Sequence, residues 1–237
     1  MIDSLFFTFS DAEIEALLLS VKVATFCSIL IAVPAVAIAW LLAKKEFIGK
    51  SLLDGIVHIP LILPPVVPGF LLLLVFGNQG LIGKWLQNTF GITIAFTWFG
   101  AVVASAVMAF PLMVRSSRLA IAQVDSKLEK VAQGLGAGGL RVFFTITLPL
   151  ALPGVITGLI LAFSRSLGEF GATITFVGNI EGETRTLPLA IYTFTQMPDG
   201  ELAAFRLVVI SISIALAALV ISNILERKMM RRIGNAD

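Results

Sequence analysis

Five long stretches of mostly apolar residues constrain the fold of this chain more than any single motif does. They lie at about 16–43, 53–76, 93–114, 147–168 and 203–225. An apolar helix of about 20 residues crosses a hydrocarbon core about 30 Å thick, and lipid offers no water to satisfy an unpaired backbone. We therefore predict an all-α polytopic membrane protein with five transmembrane helices, built as a single domain over residues 1–237.

The composition supports this prediction and argues against other classes of protein. Hydrophobic residues make up 57% of the chain and charged residues only 14%, which is far from the balance of an ordinary soluble domain. The formal net charge of +2 is too small to indicate a nucleic-acid partner. The expected surroundings of the chain are the lipid bilayer.

Basic residues are distributed unevenly between the two sides of the five-span layout. Twelve of the seventeen fall on one side: Lys44, Lys45 and Lys50 after the first span, Arg115, Arg118, Lys127, Lys130 and Arg141 between the third and fourth, and Arg227, Lys228, Arg231 and Arg232 after the fifth. Positively charged loops stay in the cytoplasm. This asymmetry predicts an N-terminus outside the membrane and a C-terminus in the cytoplasm.

Residues that carry catalysis or bind metals are scarce. His58 is the only histidine and Cys27 the only cysteine, so neither a histidine cluster nor a disulfide can form within one chain. The loop at 77–92 is not a phosphate-binding loop, because five residues separate Gly77 from Gly83 and Trp85 follows the lysine. We expect no catalytic site, no metal site and no cofactor bound by this chain. The same loop is expected to form a short interfacial helix.

Two of the predicted spans contain residues that distort helices. The second span opens with HIPLILPPVVPGF (58–70), which includes Pro64 and Pro65. Proline removes a backbone donor and clashes with the preceding turn, so this helix must be distorted. Lipid tolerates such a break only where protein or water satisfies the freed carbonyls, which favours a place inside a bundle or along a path. The alternative is a proline-rich loop that leads into an ordinary helix.

The fourth span carries Pro153 near its inner end and Gly168 and Gly171 near its outer end. Arg165 and Glu169 lie four residues apart on one helical face, where ionisable groups are expensive and face protein or water. The two either form a structural ion pair or also tune the field along a solute path. Hydroxyl groups nearby, which either pack helices or line a pore, belong to Ser164, Ser166 and Thr173.

The polar stretch between the third and fourth spans predicts a short amphipathic helix. Its apolar positions, at spacings of three and four, are Leu128, Val131, Ala132 and Leu135. Gly136 and the glycines that follow are expected to end the helix, because they allow a tight turn. The residues alone leave two alternatives open: a helix that lies flat on lipid, or one that docks in the groove of a soluble partner.

This stretch resembles the cytoplasmic "EAA" loop of bacterial ABC importer permeases. The loop pattern is Glu-Ala-Ala, three residues, Gly, nine residues, Ile, one residue and Leu-Pro, and here the glycine falls on Gly136 and the isoleucine on Ile146. The triplet falls on residues 130–132 and reads Lys-Val-Ala, while Glu129 lies one residue earlier.

The resemblance extends over the whole chain. The segments HIPLILPPVVPG, AFPLMVRSSRLA, RVFFTITLPLALPG, SRSLGEFGATITFVGNI and GETRTLPLAIY look like those of molybdate importer permeases. Sulfate and thiosulfate permeases share a similar Gly-Glu-aromatic-Gly segment, here Gly168–Gly171, and are the alternative within the family. An ion-coupled secondary transporter is the alternative outside it, although it would usually show internal repeats.

The resemblance implies a homodimer in the bacterial cytoplasmic (inner) membrane that moves molybdate or tungstate into the cytoplasm. It also implies two cytoplasmic ATPase subunits, which hold ATP and Mg, and an extracytoplasmic oxyanion-binding protein. The coupling loop spans 126–141, and its residues are Leu128, Glu129, Lys130, Val131, Ala132, Leu135, Gly136 and Arg141. The candidates for the translocation path and gate are Pro64, Pro65, Pro153, Ser164, Arg165, Ser166, Gly168, Glu169, Gly171 and Thr173.

Overall fold

The computed structural model describes residues 9–234, without the side chains at 226, 227 and 229–234. All regular secondary structure in these residues is helical. In chain order the helices are α1 (Asp11–Lys44), α2 (Lys50–Ile62), α3 (Val66–Phe76), α4 (Leu81–Phe90), α5 (Trp98–Gln123), α6 (Ser126–Gly134), α7 (Gly139–Val142), a π-helical segment (Phe143–Thr147), α8 (Leu148–Leu167), α9 (Gly171–Val177), α10 (Leu187–Thr195) and α11 (Glu201–Gly234).

Four of the described helical runs are long and apolar enough to cross a membrane unbroken. They are α1, α5, the run Gly139–Leu167 and the part Glu201–Leu225 of α11. Together α2 and α3 would make a fifth span, but they meet at an angle of 111°. The predicted all-helical class is therefore confirmed for the described residues, with four candidate spans, or five if the bent pair of α2 and α3 is counted as one.

The break in the second predicted span lies at its prolines. Helix α2 ends at Ile62, and α3 begins at Val66 after Pro64 and Pro65. The 111° bend confirms the predicted distortion. Its cause is that neither proline supplies a backbone donor to continue the helix. The alternative of a proline-rich loop before an ordinary helix is wrong, since residues 50–62 are helical themselves.

Helix α5 lies at the centre of the bundle. In its apolar stretch 61% of the residues are buried, against 33% for α1 and 17% for α11. It begins later than the predicted third span, because the Thr97 side chain caps it by accepting the Gly100 N–H at 3.2 Å. It also ends later, at Gln123. Small residues let its neighbours approach: a Cβ on Gly154 of α8 would lie 2.4 Å from that of Ala120.

The loops predicted to face outward contain helices of their own. Helix α4 occupies the segment predicted to form a short interfacial helix, and Trp85 is exposed on it. The region 169–202, which reads as an outer loop, contains α9 and α10. Helix α9 has only seven residues. In the sequence, so short an apolar pattern cannot be distinguished from the end of the fourth span.

Candidate functional site

Helix α6 and the turn that follows it occupy the predicted coupling loop. The Asp125 carboxylate caps the helix by accepting the Lys127 N–H at 2.8 Å. The helix ends at Gly134, and Gly136 adopts a φ of +87°, in the left-handed region that glycine enters without steric cost. The predicted amphipathic helix and its glycine stop are both confirmed.

The apolar face of α6 is not covered by the rest of the described chain. No residue of the helix is buried, and the side chains of Leu128, Val131 and Leu135 are 48%, 63% and 85% exposed. With Ala132 they form one wall of a groove of about 490 Å³. The opposite wall is formed by residues at the start of the fourth span, Thr145, Ile146, Pro149 and Leu150. An open apolar groove of this kind is suited to docking a partner.

Among the charged residues of the coupling loop, Glu129 is the one whose side chain is largely buried and bonded within the described chain. Its carboxylate accepts a hydrogen bond from Lys44 Nζ at 2.9 Å and one from Thr147 Oγ1 at 2.6 Å, and its side chain is only 13% exposed. Lys130 and Arg141 are exposed instead. The two basic residues are therefore accessible to a partner, while the acidic one is engaged within the chain.

After the coupling loop the chain continues into the fourth span through a π-helical segment, Phe143–Thr147. Leu148 N–H donates to the Phe143 carbonyl, five residues back, so this turn is wider than an α-helical one. The Phe143 ring packs edge-on against Trp40 of α1, with 5.8 Å between ring centroids. Hydrophobic periodicity cannot distinguish one π turn from an α turn, so the sequence does not predict it.

The candidate gate residues lie at two contacts and at scattered positions along α8. In the first, Pro65 at the break of the second span contacts Gly171 at the start of α9, where an added Cβ would lie 2.7 Å from the proline Cβ. One turn further along α3, a Cβ on Gly69 would lie 2.6 Å from the Ala172 carbonyl oxygen. Thr173 is buried beside this contact. The structure thus packs α3 on α9 through two glycines.

Arg165 and Glu169 form the ion pair that was one of the two alternatives. The Arg165 guanidinium lies 2.7 Å from Glu169 Oε2, and the glutamate side chain is 1% exposed. Glu169 Oε1 also accepts the Ala172 N–H at 2.8 Å, so the same carboxylate holds the end of α8 against the start of α9. A further effect on the field along a solute path stays a prediction.

The remaining candidates do not gather at one point. Ser164 is half-buried, Ser166 is buried and Gly168 is exposed at the end of α8. Pro153 lies in the same helix twelve residues before Arg165, or about 18 Å along the axis. It is next to Gly154, whose carbonyl accepts the Ser116 hydroxyl of α5 at 2.8 Å. Pro153 is therefore a buried neighbour of the contact that Gly154 makes between α5 and α8.

One buried ion pair was missed because its members are 193 residues apart. Arg206 of α11 donates to both carboxylate oxygens of Glu13 in α1, from Nε at 2.9 Å and from a terminal nitrogen at 2.8 Å. The Glu13 side chain is 0% exposed. Ser10 also donates its hydroxyl to this carboxylate at 2.9 Å. The first and last spans are thus joined at the end of the bundle opposite Lys44.

Residues 25–231 match the family described as "Binding-protein-dependent transport system inner membrane component". The chain belongs to this family. It is accordingly a multi-pass protein of the cytoplasmic membrane, and the family resemblance read from its segments is confirmed.

Full-length relatives and a solved structure support this placement. The chain is 58% identical over 226 residues to the molybdenum transport system permease protein of Escherichia coli strain K12, covering 95% of this chain and 98% of the relative. It is 54% identical to the protein so named in Haemophilus influenzae, with the same coverage. A chain in the crystal structure of a bacterial alginate ABC transporter shares the fold, with a TM-score of 0.70 over 98% of this chain and 82% of that one, at 19% identity.

Proposed function

We propose that this chain is the membrane-spanning permease of an ATP-driven importer that carries molybdate or tungstate into the cytoplasm. The observation that carries the proposal is the 58% identity, over 95% of the chain, to a relative named as a molybdenum transport system permease protein. Family membership and the helical bundle support a role in transport. A sulfate or thiosulfate importer is the less favoured alternative.

The proposed importer contains two copies of this chain, two cytoplasmic ATPase subunits and an extracytoplasmic oxyanion-binding protein. ATP and Mg would be held by the ATPase, and this chain would do no catalysis. In this assembly α6 docks in a cleft of the ATPase through Leu128, Val131, Ala132 and Leu135. The exposure of its apolar face supports this role, and Lys130 and Arg141 would meet polar groups at the rim.

The proposed orientation places the N-terminus outside and α6 in the cytoplasm. The positive-inside rule supports it, as does the gathering of basic groups at one end of the bundle. There Lys44 of α1 contacts α6, and Arg118 of α5 pairs with Asp54 of α2 at 2.8 Å. Glu13 and Arg206 would then lie at the outer end.

A tetrahedral dianion needs a hydrated passage, because removing an unpaired charge from water into hydrocarbon costs many kcal/mol. We place this passage between the two copies of the chain, with the broken second span and the junction of α8 and α9 as its moving walls. The contact of Pro65 with Gly171 supports this assignment, since it joins the two interrupted segments. The ion-paired state of Arg165 suits a conduit that does not retain the anion.

The test is to reconstitute the chain with its cognate ATPase and binding protein in vesicles and to measure uptake of labelled molybdate. ATP-dependent uptake that resists a large excess of sulfate is the expected result, and uptake readily suppressed by sulfate would move the chain to the sulfate branch. Vanadate should stop uptake and a protonophore should not. The reverse pattern would instead identify an ion-coupled transporter.

A further inference from the structure

The Glu129 carboxylate connects three elements that are far apart in the sequence. It belongs to α6, and it binds Lys44 in the last turn of α1 at 2.9 Å and Thr147 at the end of the π-helical segment at 2.6 Å. Lys44 Nζ also donates to the Val124 carbonyl at 3.2 Å, just before α6 begins. Both carboxylate oxygens are therefore used, and each one binds a different membrane span.

This cluster is sheltered, whereas the helix that carries Glu129 is not. The side chains of Lys44 and Glu129 are 17% and 13% exposed, and Thr147 is buried at 1%. Helix α6 has no buried residue of its own, and its apolar face is open. Charge-assisted hydrogen bonds are short and strong where water is largely excluded. The carboxylate is thus a firm connection between an otherwise exposed helix and the bundle.

We propose that Glu129, Lys44 and Thr147 are positioning residues that transmit displacement of α6 to α1 and to the fourth span. The proposal rests on the proposed function, in which the ATPase moves α6. Without this cluster, α6 would be connected to the spans by the short link at 124–125 and by the glycine-containing turn at 135–138. Gly136 in that turn has a φ of +87°, and a Cβ there would meet no atom within 4 Å, so no side-chain packing joins the turn to the bundle at that point.

The π-helical segment adds a reason for transmission through Thr147. A π turn has wider hydrogen bonding than the α-helix around it and often marks a functional position in a helix. Thr147 is its last residue, and the long helix α8 begins directly after it. Movement of Glu129 therefore acts on α8 at a turn that can change its hydrogen bonding, and on α1 at its end.

The experiment compares variants of the reconstituted complex of permease, ATPase and binding protein. The disrupting variants are Glu129→Gln, Lys44→Met and Thr147→Val, and the restoring ones are Thr147→Ser and the charge exchange Lys44→Glu with Glu129→Lys. Glu46→Gln is the matched control, because it breaks the ion pair of Lys50 with an 89% exposed carboxylate two residues beyond the end of α1. Each complex is measured for copurification of the ATPase, ATP hydrolysis and molybdate uptake.

The expected result is a fall of about tenfold in molybdate taken up per ATP hydrolysed for each disrupting variant, the size typical of coupling between sites. Copurification and ATP hydrolysis should stay close to wild type. Thr147→Ser, the charge exchange and Glu46→Gln should retain most of the coupling. A cluster that only holds the fold together would instead lower copurification and hydrolysis together with uptake.

Unchanged uptake per ATP in the disrupting variants would overturn the inference. It would also be overturned if the charge exchange assembled and hydrolysed ATP but recovered no coupling, because the link would then not be the ion pair. Failure of the proposed function looks different. In that case the wild-type complex would hydrolyse ATP without taking up molybdate. The uptake per ATP hydrolysed would then be measured, for the same variants, with the anion that the complex does carry.

Discussion

Pro65 and Gly171 pack so closely that no side chain fits between them. A Cβ on Gly171 would lie 2.7 Å from the Cβ of Pro65 and 3.4 Å from the backbone nitrogen of Val66. The proline belongs to the break of the second span and the glycine to the first residue of α9. Two interrupted segments thus meet at a glycine that has no room for a side chain.

Gly171→Ala should therefore weaken this contact and lower uptake. Overpacking a tight contact costs about 1–3 kcal/mol, and the backbone neighbours here have little freedom to move aside. Thermal denaturation of the detergent-purified protein should show a lower Tm. The matched control for the Tm is Gly168→Ala, where the nearest atom to the new Cβ is 4.0 Å away. An equal Tm for the two variants would contradict the packing argument.

Gly136→Val should uncouple ATP hydrolysis from uptake. The residue has a φ of +87°, and a β-branched side chain there costs about 1–3 kcal/mol of backbone strain, which the turn avoids by changing shape. Uptake should fall severalfold while ATP hydrolysis continues. The control is Gly138→Val, since Gly138 has an extended backbone with φ −65° and ψ 156° and no atom crowds it. Normal transport by a well-expressed Gly136→Val protein would reject the assignment.

Glu13→Gln should destabilise the bundle. It leaves Arg206 beside a neutral amide in a site where the Glu13 side chain is 0% exposed, and breaking one partner of a buried pair costs about 3–5 kcal/mol. The Tm in detergent should drop by several degrees. Glu15→Gln is the control, because Glu15 lies two residues away and is exposed. If both variants have the same Tm as wild type, the ion pair contributes little to the stability of the bundle.

The Arg165 and Glu169 pair is suited to a double-mutant cycle. Arg165→Met alone leaves a carboxylate that is 1% exposed without its 2.7 Å partner, and Glu169→Gln alone leaves the cation. Each single change should cost about 3–5 kcal/mol, whereas the double variant should cost less than the sum. The glutamine oxygen can still accept the Ala172 N–H. Strictly additive losses of stability would show that the two groups are not coupled.

Much of the coupling loop could be predicted from the sequence, because its signals are local. The spacing of Leu128, Val131 and Leu135 requires only the period of one helix, and the stop at Gly136 requires only the properties of glycine. The direction of the Glu129 carboxylate was not predictable in this way. Its partners, Lys44 and Thr147, are 85 and 18 residues away, and no periodicity connects them.

For the gate candidates too, local features were predictable and long-range contacts were not. Composition and proline content predicted that the second and fourth spans would be interrupted, and the 111° bend confirms it for the second. Pattern alone did not separate Pro153 from Gly171, although the structure places the first next to Gly154, which bonds α5, and the second against Pro65.

By itself, the sequence determined the membrane environment, the helical class, the approximate positions of the spans and the site of the proline break. Each of these follows from the hydrophobicity or backbone chemistry of neighbouring residues, which lipid makes decisive. Only the tertiary structure decided which charges pair, as with Glu13 and Arg206, and which glycines are contacts, as with Gly69 and Gly171. The reason is physical: the energy of a buried charge and the closeness of a glycine contact both depend on the group that the packed helices place beside them.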